Sequence, residues 1–158
     1  MSVTVERIER SDAFALGAIG PVAVSVWEAA PTVAHAEASV ALLRRLSREH
    51  DGIALLAILG DGCALPDDRV RAVIASGVAG VAGNIVGVAN VVEGQGFRAA
   101  ALRGVLTSLA LVMNARYPQK VFADVASAAA FLEQHARTLL RAREVVRGVG
   151  ELRSGAAP

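Results

Sequence analysis

A chain of 158 residues with 16 Lys+Arg against 15 Asp+Glu has a net charge of +1, too balanced to offer the basic footprint that nucleic acid or an anionic membrane selects. With 54% hydrophobic and only 4% aromatic residues, it is long enough to bury a core of Val, Leu, Ile and Ala within one domain. Its one cysteine, Cys63, excludes an internal disulfide, and Glu6, Arg7, Glu9, Arg10 and Asp12 fall where a secretory leader needs apolar residues, so the expected location is the cytoplasm.

The first elements read as two strands, FALGAIG (Phe14 to Gly20) and VAVSVWEA (Val22 to Ala29), on either side of Gly20-Pro21. The second alternates Val22, Val24 and Val26 with Ala23, Ser25 and Trp27, the period of a half-buried strand. Pro21 lacks a backbone donor and suits a turn or a strand's first position. Pro31 opens a helix, where its missing N–H costs nothing. Val33, Ala36, Val40, Leu43 and Ser47 recur at helical spacing, Leu42 and Leu46 widen that face, Arg44, Arg45 and Arg48 lie outside it, and His50-Asp51-Gly52 ends the helix. IALLAIL (Ile53 to Leu59) is a continuous apolar run, as in a strand covered on both faces.

GDGCALPDD is a loop into a second helix, with Pro66 at its start and Asp67 and Asp68 at the positive end of the helix dipole. Val70, Val73, Ile74 and Val78 form its core stripe, and Gly77, Gly80 and Gly83 leave a smooth ridge for close approach. From Ala72 to Val92 no residue is charged, about the length of a membrane span. Its four glycines and two asparagines, with turn chemistry at Gly83-Asn84, instead predict two short buried elements, the second being the strand IVGVANVV (Ile85 to Val92). Phe97 to Arg116 is a third helix with Leu102, Val105, Leu106, Leu109 and Val112 inward. After Tyr117-Pro118 come a strand, KVFAD, and one long helix from about Val125 into the 140s. The Gly, Ala and Pro content of residues 148–158 predicts a disordered tail. The expected fold is therefore α/β, a mixed, mostly parallel sheet covered by helices in the order β-β-α-β-α-β-α-β-α.

This order, in one domain spanning residues 1–147, resembles the STAS domain of anti-sigma-factor antagonists and the related STAS/SEC14-like group, over about Phe14 to Leu140. KVFADVASAAAFLEQ (Lys120 to Gln134) is similar to that group's closing strand and helix, in which a short strand precedes an Ala-rich helix ending in an aromatic-Leu pair. VVEGQGFRAAALRGVL is similar to a segment of bacterial proteins of this type. The resemblance implies a non-enzymatic regulatory module that binds a protein partner or itself. A phosphorylatable antagonist carries an Asp-Ser pair where the third strand meets the second helix. Here Asp61-Gly62-Cys63-Ala64-Leu65 holds no Ser or Thr, so the serine phosphoswitch is expected to be absent.

Gly94-Gln95-Gly96-Phe97-Arg98-Ala99 matches G-x-G-x-x-A between a strand and a helix, where amides could meet an anion, and Asp124 ends the next strand. A dinucleotide fold places this fingerprint on its first strand, with more βα units after it, whereas one strand and one helix follow here. The turn reading is preferred, with an anion contact as the alternative. No Gly-Lys-Ser/Thr follows, which excludes a P-loop. Cys63 lies at a strand's carboxyl end near a helix start, which can lower a thiol pKa, but no His adjoins it in sequence, and a bland loop cysteine is the simpler reading. The three histidines lack metal-ligand spacing, and neither a G-x-S-x-G elbow nor a carboxylate pair is present. No catalytic residue, metal or cofactor is expected.

Two sets of candidates remain. Asp61, Gly62, Cys63, Gly94, Gln95, Gly96, Phe97 and Arg98 are candidates for binding a small molecule, lipid or nucleotide at strand-end loops 61–66 and 93–98. Trp27, a rim packing residue or an interface anchor, joins Leu139, Leu140, Val145 and Val146 as interface candidates. Leu132 extends that apolar surface, and Arg137, Arg141 and Arg147 border it. The leading expectation is the interaction module, then the small-molecule binder, then an enzyme without a recognised motif. Neither nucleic acid nor membrane is expected as a partner.

Overall fold

Five strands form where apolar runs and alternations predict them, a sixth precedes them, and all lie side by side in chain order. In a computed structural model, which describes residues 3–113, 115–136 and 140–155, β1 (Val5–Arg10), β2 (Phe14–Ile19), β3 (Val22–Trp27), β4 (Ile53–Leu59), β5 (Ile85–Val92) and β6 (Gln119–Phe122) make one six-stranded sheet. β1, β2 and β3 pair antiparallel, and β3 to β6 pair parallel. The mixed, mostly parallel sheet expected from the sequence is present.

Three helices link the parallel strands: α1 (Val33–Glu49), α2 (Asp68–Val81) and α3 (Phe97–Met113). Their apolar residues share one core with Phe14, Leu16, Trp27, Ile53 and Val88. Right-handed crossovers between successive neighbours put all three on one face. α4 (Val125–His135) and α5 (Ala142–Arg153) cover the other face, over Val22, Val24, Val26, Leu56 and Ile58. Each long apolar strand is thus covered twice, as its unbroken hydrophobicity requires.

The uncharged run from Ala72 to Val92 is the end of α2, a 3₁₀ turn at Ala82–Asn84, and β5. Asn84 secures the turn by donating from Nδ2 to the carbonyls of Ser47 (3.1 Å) and His50 (2.8 Å). Among the described residues no helix is long and apolar enough to cross a membrane.

Several expectations need correction. β1 was not predicted, because Glu6, Arg7, Glu9 and Arg10 mask its alternation. Charges of this kind, with the irregular register between Arg7 and Glu9, are how an edge strand resists pairing with another chain. α1 begins two residues later than Pro31 suggests, at Val33: Thr32 is its cap, accepting from the His35 N–H at 3.1 Å. Of the glycine ridge, only Gly77 meets another element, Val40 of α1; Gly80 and Gly83 face open space. In α3, Leu102 and Leu106 are partly buried, but Val105 and Leu109 are exposed at 46% and 41%. The side chain of Val112 lies outside the described residues.

The largest correction is at the C-terminal end. The expected single helix is two, and residues 148–153 are helix rather than disordered tail. α4 ends at Ala136, whose backbone leaves the helical region. α5 restarts where two carboxylates satisfy its free N–H groups: Glu144 accepts from the Arg141 N–H at 3.1 Å, and Glu133 from that of Ala142 at 2.7 Å. Val145, Gly148, Val149 and Leu152 then form one buried stripe over β2. A Cβ on Gly148 would overlap Ile19, and one on Gly17 would overlap Leu152 and the carbonyl of Glu6, so paired glycines let helix and strand touch.

Candidate functional site

Parallel register brings three strand ends to one rim. Trp27 pairs with Leu59, and Leu59 with Val92, so Glu28, Gly60 and Glu93 stand in the next row. The Gly60 N–H donates to the Trp27 carbonyl (2.8 Å) and the Glu93 N–H to the Leu59 carbonyl (2.9 Å), carrying the ladder one residue past the strands. A Cβ on Gly60 would displace the Glu28 carboxylate from its place on the rim.

The two candidate loops adjoin. The Asp61 carboxylate lies where a Cβ on Gly94 would be, and Gly62, Gly94 and Gly96 have φ of 84°, 101° and 91°, the left-handed region that favours glycine. The opening of α3 is therefore built on backbone geometry. Arg103, in the second turn of α3, ties it down, donating from Nε to the Val92 carbonyl (3.0 Å) and from Nη2 to that of Gly94 (2.6 Å). Gln95, Gly96, Phe97 and Arg98 are exposed, and Phe97 reaches 90%.

Across this rim lies Arg153, from the last turn of α5. Its guanidinium contacts Glu28 at 2.7 Å and grips both oxygens of Glu93 at 2.8 and 2.9 Å. These bonds, that to Glu93 foremost, hold the arginine pKa above its ordinary value despite partial burial. Arg10 fixes the same helix end by donating to the Arg153 carbonyl (2.8 Å), and Arg7 does so at Glu151 (2.8 Å). Arg103, Arg153, Glu28 and Glu93 did not stand out as a group in the sequence. No local pattern links residues 60 and 125 positions apart, and Arg153 sat in the expected tail.

Cys63 is 3% exposed, and its thiol donates to the Ala29 carbonyl at 3.2 Å. Burial first, and then the negative charge of Glu28, push its pKa up, while Arg98 acts the other way. A buried thiol held protonated packs as a small apolar group, as the bland reading expects. Asp124 is the cap of α4: it accepts from the Ser127 N–H at 2.7 Å and hydroxyl at 3.1 Å, which hold its carboxyl below the usual range. It does not serve the glycine turn.

The interface candidates are also redistributed. Trp27 is 4% exposed, packed on Phe14 at 4.6 Å between ring centres, with its indole N–H on Ser25 (3.0 Å); it is core rather than an interface anchor. Leu140 and Val145 are buried within the chain's own core at 7% and 1% exposure, so the C-terminal helix folds back over the sheet. Val146 is 42% exposed, and Leu139 lies outside the described residues. Among the described residues no three His, Cys, Asp or Glu side chains gather as metal ligands. His35 instead stacks on Phe14 at 4.3 Å. The sheet runs β1 to β6 without a reversal of order, so it has no switch-point crevice of the kind that seats a dinucleotide.

No family model and no curated protein matches the chain. Among solved structures it is similar to an uncharacterized protein of the DUF3478 family with a SpoIIAA-like fold, from Shewanella loihica PV-4. Identity is 17%, the match covers 83% of this chain and 93% of that one, and the TM-score is 0.49.

Proposed function

We propose that the chain is a non-enzymatic regulatory or protein-interaction module of STAS-like type, working without the serine phosphoswitch. One contrast carries the reading. The strand-end rim, where a parallel sheet usually receives a ligand, is occupied by the chain's own Arg153–Glu28–Glu93 ion pairs and by Asp61 against Gly94. Large apolar side chains are meanwhile left outside on α3, with Phe97 90% and Leu111 79% exposed. Exposed apolar surface of this sort marks association with other macromolecules.

The runner-up is a small-molecule binder at loops 61–66 and 93–98, favoured by the open space beside the Gly62 and Gly96 backbones. Thermal melting with inorganic phosphate, nucleotides and short-chain lipids separates the two, because a ligand specific to the native state raises its melting temperature. The module reading expects no shift with any of them, together with retention of a protein that Phe97→Asp abolishes. A dose-dependent rise that Gly96→Val removes would replace it with the binder.

A further inference from the structure

The exposed surface of α3 has an order of its own. Phe97, Ala100, Gly104, Ser108 and Leu111 are all exposed and recur every three or four residues along one stripe. The stripe is palindromic in size. Large residues end it, Gly104 is its midpoint, and Ala100 and Ser108 stand four residues to either side. Nothing lies within 4 Å of the space a Cβ on Gly104 would fill. From Phe97 to Met113 there is no carboxylate and no lysine, and of the two arginines Arg103 is spent on the carbonyls of Val92 and Gly94.

We infer that this stripe is the contact surface for a second copy of the chain, two α3 helices crossing antiparallel about a two-fold axis at Gly104. A two-fold contact must be self-complementary. Centred on residue 104, Phe97 of each copy meets Leu111 of the other, and Ala100 meets Ser108, so large faces large and small faces small. The glycines let the two backbones approach closely at the crossing. Charge agrees: the remaining arginine, Arg98, lies beside the carbonyl end of the opposite helix, where a cation is favoured. A face without carboxylates or lysine offers no counterpart to a charged partner but matches itself. From Phe97 to Leu111 the contact is about 21 Å long, one helix pair. One helix pair of this length buries less than the roughly 800 Å² per partner of a standard interface, so the dimer is expected to be weak and concentration-dependent.

The inference rests on the interaction-module reading and names its partner. Sedimentation velocity of the full chain between roughly 5 and 500 μM, the range of a small interface, is expected to show the mass rising toward twice that of the chain. Gly104→Glu, an exposed change that sets two carboxylates face to face at the axis, is expected to weaken association at least tenfold and leave the melting temperature unchanged. Gly104→Cys is expected to oxidise to a covalent dimer, while Ala75→Cys, exposed on α2, stays monomeric, and the buried Cys63 takes no part. A wild-type chain that is monomeric throughout, or dimerisation indifferent to Gly104→Glu, would overturn the inference. So would a monomer that sediments with phosphatidylserine vesicles or holds an unrelated protein through α3; the second of these leaves the module reading standing. A small-molecule melting shift would sink that reading instead, whatever the oligomeric state.

Discussion

Helices α5 and α3 exchange the roles that their compositions suggest. α5 carries Arg143, Glu144, Arg147, Glu151 and Arg153 among its 12 residues, yet Val145, Val149 and Leu152 are at most 3% exposed. α3 carries only Arg98 and Arg103 among 17 residues, yet Phe97, Val105, Leu109 and Leu111 are exposed by 41% or more. The difference is arrangement. In α5 most apolar residues keep to a single stripe, only Val146 lying outside it, and the charges keep to the rest, so one orientation buries that stripe. In α3 apolar residues surround the axis, and whichever side meets β5 and β6 leaves another outside. Total hydrophobicity says how much a helix would gain by burial; segregation says whether one neighbour can supply it.

Four expectations test that contrast, the largest first. Leu152→Ala empties a fully buried site between α5 and β2 and is expected to cost about 3 kcal/mol in denaturant unfolding, whereas a loss below 1 would mean that α5 is only loosely attached. Gly148→Ala forces a methyl into Ile19 and is expected to cost about 2 kcal/mol, even though alanine is the better helix former. A stabilised variant would show that the helix can shift away from the sheet. Arg153→Ala releases Glu28 and Glu93, pairs only partly shielded from water, and is expected to cost about 1 kcal/mol, with the loss shrinking in 1 M salt. Leu111→Ala, in the more apolar helix, is expected to change the stability of the monomer by no more than about 0.5 kcal/mol. A drop as large as that of Leu152→Ala would erase the comparison.

How far the sequence is legible varies along the chain. β4 and β5 are plain in it, because uncharged runs of strand length dominated by Val, Ile, Leu and Ala have few other uses in a chain this size. The glycine turn at 94–96 was readable as backbone geometry, and both positive φ angles bear this out. β1 was hidden by the charges that protect it as an edge. The break between α4 and α5 lacked a glycine or proline to announce it, and its cue, Glu144 beside the cap, is a pattern common inside helices. The rim cluster was illegible, since Arg153 lies 125 residues from Glu28 and 60 from Glu93.

By itself the sequence determined the kinds and order of the elements from β2 to α4, and the need for cover on both faces of the parallel strands. These follow from periodicity and local backbone preference, which each segment carries alone. Only the tertiary structure decided which helix supplies that cover, which apolar face is left without it, and which charges meet across the strand ends. Burial and ion pairing belong to pairs of distant segments, and a glycine that accepts a helix, such as Gly17 beneath Leu152, looks like any other until that helix arrives.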